Sequence, residues 1–297
     1  MKKRLKMYHT PQSWHKAGQY FSFHNFDIFY QHSSKTEAET IFLIHGYPTS
    51  SYDWSKIWDT LSERYQLVAI DLLGLGFSDK PAPYPYSVQD HADQCIALIE
   101  YLNLEHVHLI GHDLGVGVIQ ELLDRQRQSN LKFSIQSTIF MNGSLFAEAY
   151  RPRLIQKLMA SSLGHLIVPM ISFRIFSKSM QQMFDANHQP SAEELKQWYE
   201  QLKFKNGKTC MVSLNQSIFD RFKHRDRLVN AMINSTIPML LINGKNDPNS
   251  GQHMAIRYKE LIPNPQVIEL ENCGHWTPWE QPSIVTKEIL QFLATTT

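Results

Sequence analysis

Cysteine is scarce in this chain, with three among 297 residues. Cys95, Cys210 and Cys273 are odd in number and far apart, so they build neither a disulfide framework nor a paired CxxC zinc site. Reduced thiols in a reducing compartment follow as the expectation, and with them a cytoplasmic location. Net charge is almost absent as well: 29 Lys and Arg face 28 Asp and Glu, leaving +1 with histidine neutral. No overall field gathers nucleic acid or anionic lipid, so no nucleic-acid partner is expected. The short basic runs at residues 2–6 and 221–227 are read as solvated surface. Long apolar runs are missing too. The basic start MKKRLKMYHT is not followed by the apolar stretch of a secretory signal. The greasiest segment, 163–176, contains His165, Pro169 and Arg174 and is too short to span a bilayer, which argues against stable membrane insertion. Internal repeats and low-complexity linkers are absent.

What is present is an ordinary globular composition, 42% hydrophobic and 19% charged, arranged as short apolar runs alternating with helical patterns. That alternation predicts a mostly parallel sheet flanked by helices. Residues 19–23 and 26–30 read as two strands joined by a tight His24-Asn25 turn. Buried strands are expected at 41–44, 67–70, 107–110, 135–141, 239–242 and 267–270. Ser87 with Asp90 forms a helix N-cap, after which Val88, Ala92, Ile96, Ile99 and Leu102 recur at helical spacing. The last helix starts near Pro282, with Ile284, Val285, Ile289 and Phe292 placed on one face. From about residue 143 to about 235 no strand pattern appears. Helical stretches rich in Met, Phe and Trp are broken there by Pro152, Pro169 and Pro190, which reads as a helical cap (144–235) inserted into a core of 1–143 and 236–297. The alternative is a set of ordinary core helices.

One constellation carries chemistry. After the strand ending at 110 comes Gly111-His112-Asp113-Leu114-Gly115 and then a helical run. Small residues two before and two after a polar one, between strand and helix, make a nucleophile elbow, with Asp113 where Ser or Cys is more usual. An acid, Asp247, stands in the loop after a later strand, and His275 stands after the final strand. Upstream, His45-Gly46-Tyr47-Pro48 can supply the backbone N–H of Tyr47, and Leu114 N–H is the second donor of an oxyanion hole. The loop after Met141 offers Asn142 and no acid, leaving Asp247 to orient His275. Weaker patterns add little. GLGFSD at 74–79 lacks the third glycine of a dinucleotide fingerprint. His106, His108 and His112 have no Cys or carboxylate cluster to complete a metal site, and neither metal nor cofactor is expected.

The segments HGYPTSSYDW (45–54), DLLGLGFSDKP (71–81) and GHDLG (111–115) resemble the α/β-hydrolase group that contains epoxide hydrolases and haloalkane dehalogenases. With RPxLxQKL at 151–158, the likeness extends to mesoderm-specific-transcript-type hydrolases. It runs from about residue 40 to the C-terminus, and implies the α/β-hydrolase fold with an eight-stranded sheet, the inserted cap and the triad Asp113, His275, Asp247.

A carboxylate nucleophile limits the reaction. It is ionised at neutral pH without a base; attack on an ester or amide would give a high-energy anhydride, whereas attack on saturated carbon displaces halide or opens an epoxide to leave an alkyl ester. Dehalogenases in the group carry an indole after the nucleophile and an amide in the HGxP loop, where this chain has Leu114 and Tyr47. Epoxide hydrolases use cap tyrosines, here Tyr150 and Tyr199, with Trp276 as a further substrate contact. The expected function is hydrolysis of small apolar epoxides with water as co-substrate. Haloalkane dehalogenation is the alternative, and a ligand-binding or interaction protein on a hydrolase scaffold is a second.

Overall fold

The computed structural model describes residues 10–35 and 38–296. The N-terminal basic run lies outside them. One sheet of eight strands is formed by β1 (Gln19–Phe23), β2 (Phe26–His32), β3 (Thr40–Ile44), β4 (Gln66–Ile70), β5 (His106–His112), β6 (Ser134–Met141), β7 (Met239–Gly244) and β8 (Gln266–Leu270). Their spatial order is β1-β2-β4-β3-β5-β6-β7-β8. β1–β2 and β2–β4 pair antiparallel and the other pairs are parallel. This is the α/β-hydrolase architecture. The β1–β2 hairpin turns on His24 and Asn25 with φ of 48° and 69°, the paired left-handed conformations that suit the twist of a two-residue hairpin. β3 is buried along its whole length and β5 is buried from Val107 onward; helices cover both faces, which is why β3 reads as an unbroken apolar run rather than an alternating one.

Ser87 accepts from Asp90 N–H and starts the helix Val88–Tyr101. The final helix, Pro282–Leu293, buries Val285, Ile289, Phe292 and Leu293, but Ile284 is 46% exposed and does not share their face. One residue is about 100° of helix, enough to turn Ile284 out to solvent while Val285 faces in. Between β6 and β7 the described chain has no strand: helices joined by loops run from Leu154–Ala160 to Arg225–Ile233. That last helix lies against Leu114–Arg127, where Arg227 pairs with Glu121 and Asp124 at 2.6 Å each. The basic run at 221–227 is not uniformly solvated: Arg221 is only 3% exposed. Its guanidinium fills the space above Gly117, where a Cβ would lie 2.2 Å from Nη1. Cys95, Cys210 and Cys273 are free and buried, and among the described residues no helix is long and apolar enough to cross a membrane.

Candidate active site

Four loops meet at the C-terminal edge of the sheet, following β3, β5, β7 and β8. Parallel strands deliver their ends to one edge, so residues far apart in sequence converge there. β5 ends at His112 and a helix begins at Leu114, so Asp113 makes the turn by itself, at φ 48° and ψ −105°. The flanking glycines permit it. A Cβ on Gly111 would sit 2.7 Å from the Gly115 carbonyl oxygen, and one on Gly115 would sit 2.2 Å from that of Ile44. Strand and helix are therefore in backbone contact, and the Asp113 side chain is held above the sheet edge.

Asp113 Oδ2 accepts from Tyr47 N–H at 2.9 Å, and the carboxylate also accepts from Leu114 N–H. Its Oδ1 lies 3.8 Å from His275 Nε2. On the far side of the ring, His275 Nδ1 donates to Asp247 Oδ2 at 2.8 Å. Asp247 is held in turn by Ser250 Oγ at 2.6 Å, Asn249 N–H at 2.8 Å and Asn142 Nδ2 at 3.0 Å. Asn142 supplies a hydrogen-bond donor where an alternative acid would have stood. His112 Nε2 donates to the His275 carbonyl at 2.9 Å and fixes that backbone.

Burial and charge compete across this group. Burial pushes the Asp113 carboxyl up, against the opposing pull of His275, the Tyr47 N–H, the Arg221 guanidinium and the Leu114 N–H. For Asp247 burial also acts upward, but His275 and the Ser250 and Asn249 hydrogen bonds prevail and bring it to about 2. Burial alone would lower His275; the Asp247 carboxylate and Asp113 overcome it and raise the imidazole to about 9. His275 thus stands between two carboxyl groups, and Asp247 above all favours its protonated form.

Asp113, His275, Tyr47 and Trp276 line a cavity of about 80 Å³. Its walls are apolar, chiefly Met159, Ile171, Phe176, Met180, Met183 and Met211, with Arg153, Gln156 and Asn249 as the larger polar groups. The Trp276 ring forms part of the wall, while its Nε1 donates to Asp53 at 3.4 Å. Tyr150 stands one layer behind the wall: its hydroxyl accepts from Gln156 Nε2 at 3.1 Å and Asn249 Nδ2 at 3.4 Å, two residues that do line the cavity. Tyr199 is turned away, donating to the Ile171 carbonyl at 3.1 Å and accepting from Lys208 at 3.0 Å. Neither tyrosine lines the cavity. Sequence patterns assigned no site role to Arg153, Gln156, Asn249 or Arg221, because each reaches the site through contacts with no fixed spacing.

A profile of the family described as the alpha/beta hydrolase fold matches residues 39–282. The chain belongs to that family. Within it, this hydrolase-fold chain is 36% identical over 280 residues to the human mesoderm-specific transcript homolog protein, covering 91% of the chain and 84% of the human protein. Among solved structures, haloalkane dehalogenase DbeA from Bradyrhizobium elkani USDA94 superposes with a TM-score of 0.79 at 20% identity, covering 94% of this chain and 98% of that one. The epoxide hydrolase CorEH superposes with a TM-score of 0.73 at 20% identity, over 94% and 99% of the two chains. At such identity these two likenesses speak for the hydrolase fold alone.

Proposed function

We propose that this chain is a cofactor-independent hydrolase of small apolar epoxides, with Asp113 as nucleophile and the helical insertion as a cap over it. The observation that carries the reading is the Asp113 carboxylate itself, held by Tyr47 N–H at 2.9 Å and facing His275 Nε2 at 3.8 Å on an apolar cavity.

In the first step a carboxylate oxygen of Asp113 attacks an epoxide carbon. The C–O bond breaks, an alkyl ester forms on Asp113, and the alkoxide takes the proton that His275 carries at rest. Loss of the Asp113 charge leaves the neutral imidazole free to act as base. In the second step His275, oriented by Asp247, removes a proton from water as the oxygen attacks the ester carbonyl. Tyr47 and Leu114 N–H groups face the oxyanion. Collapse releases the diol, whose oxygen is protonated by His275, and the proton that water leaves on the Asp113 carboxyl then passes to His275, restoring both the carboxylate and the protonated ring. Epoxide chemistry is preferred to halide release because Leu114 and Tyr47 bring no side-chain N–H to the leaving group and the Trp276 indole N–H is directed at Asp53.

Intact-protein mass spectrometry of His275→Gln, incubated with panels of epoxides and haloalkanes, tests this. An epoxide adduct on Asp113 adds the whole substrate mass, whereas a haloalkane adduct lacks the halogen. Adducts from haloalkanes alone would move the assignment to dehalogenation. Absence of any adduct, with ligand binding unchanged in Asp113→Asn, would favour a non-catalytic binding protein.

A further inference from the structure

Ten large apolar side chains stand out in solvent among the described residues, and six of them fall in one part of the helical insertion: Leu154, Leu163, Leu166, Met170, Phe173 and Ile175. Leu154, Leu166 and Met170 are 72%, 70% and 73% exposed. Single exposed hydrophobes are ordinary, but a cluster marks a surface that something covers.

The charges along this segment are one-sided. Residues 149–184 contain no Asp or Glu and five Arg or Lys, at 151, 153, 157, 174 and 178. Arg151, Lys157, Arg174 and Lys178 are exposed and Arg153 is half-buried. Among the described residues none of the five makes an ion pair. Four arginines elsewhere behave differently: Arg125, Arg225, Arg227 and Arg257 each reach two carboxylates. The near-neutral total conceals this local excess. The face also adjoins the cavity, since Ile175 is 45% exposed and lines it at the same time.

We infer that this apolar, cation-bearing face docks the protein on a bilayer containing anionic phospholipid. Leu154, Leu166 and Met170 enter the headgroup–acyl boundary while the exposed cations Arg151, Lys157, Arg174 and Lys178 meet headgroup phosphates. A second copy of this chain does not suit the surface. A two-fold interface would set the same five unpaired cations against each other. Docking does not depend on the Asp113 chemistry. If that chemistry holds, the consequence is that an apolar substrate enters beside Ile175 directly from the membrane.

Vesicle flotation with the full chain tests the surface, using phosphatidylcholine alone and equal parts phosphatidylcholine and phosphatidylglycerol. Binding to the anionic vesicles, weakened by salt, is expected. Arg174→Gln with Lys178→Gln should weaken it about fivefold per charge removed, and Leu166→Glu with Met170→Glu should abolish it, with unchanged thermal unfolding in both. Asp113→Asn should float like the parent protein, which separates this inference from the catalytic one. Absence of binding to anionic vesicles at low salt, binding indifferent to both double substitutions, or a dimer in sedimentation velocity that those substitutions dissociate would each overturn the proposal.

Discussion

Gly46 and Asp113 stand so close that a Cβ on Gly46 would lie 2.5 Å from the Asp113 Cβ and 2.9 Å from its Oδ2. The loop after β3 therefore does two things at once: it donates Tyr47 N–H to the carboxylate and leaves room for it to stand upright. Gly46→Ala should displace the carboxylate and lower the rate of adduct formation by roughly 10²-fold, the scale of an ångström-level misplacement. Single-turnover mass spectrometry beside thermal unfolding checks this, and a loss of rate no larger than the loss of folded protein would refute it.

In the proposed cycle the imidazole acts as base only after Asp113 is esterified, so the two half-reactions should separate with pH. At about pH 5, below the ordinary histidine value, His275 keeps its proton and ester hydrolysis should stall while alkylation continues. Wild-type protein quenched there should carry more adduct than protein quenched at about pH 8. Equal adduct at both would show that His275 is not the base.

The same pair sets a pH window for stability. His275 is raised from 6.5 to about 9, so its contribution is complete below 6.5 and fades as pH rises through 9. Asp247 is lowered from 3.8 to about 2, so its contribution is present above 3.8 and fades as pH falls toward 2. The drop in melting temperature caused by His275→Gln should accordingly be largest between those limits and shrink above pH 9. A drop that is flat with pH would mean that the charge pair does not stabilise the fold.

His45 braces the loop from beneath. Its Nδ1 donates to the Gly46 carbonyl at 2.7 Å and its Nε2 accepts from Leu72 N–H at 3.0 Å, and burial keeps it neutral by lowering it to about 4. His45→Leu strands the Leu72 N–H and leaves the Gly46 carbonyl only the 3.5 Å bond from Thr49 Oγ1, and should cost about 1–3 kcal/mol for the unpaired group. The urea midpoint should fall accordingly, with adduct formation on Asp113 retained in the folded fraction.

Arg221 is buried with Nη2 donating to the Ser144 carbonyl at 2.9 Å, and its charge pulls the Asp113 carboxyl down against the push of burial. Arg221→Met should push Asp113 further up and move the acid limb of the alkylation rate to higher pH, and Arg221→Lys should bring it partly back. An unmoved limb would confine Arg221 to packing.

The sequence by itself determined the hydrolase scaffold. The His24-Asn25 hairpin, the glycine-flanked Asp113, and the acid and histidine placed after later strands are local patterns, and backbone sterics together with parallel-sheet topology bring their ends to one edge. Tertiary structure alone decided the rest. Arg221 sits in a basic run that reads as surface, yet it is buried because Gly117, a hundred residues earlier, leaves a space for its guanidinium. Tyr150 and Tyr199 are in the right part of the chain, but hydrogen bonds to Asn249 and to the Ile171 carbonyl hold them off the cavity. Such placements depend on which distant atoms compete for a side chain, and no spacing along the chain encodes that competition.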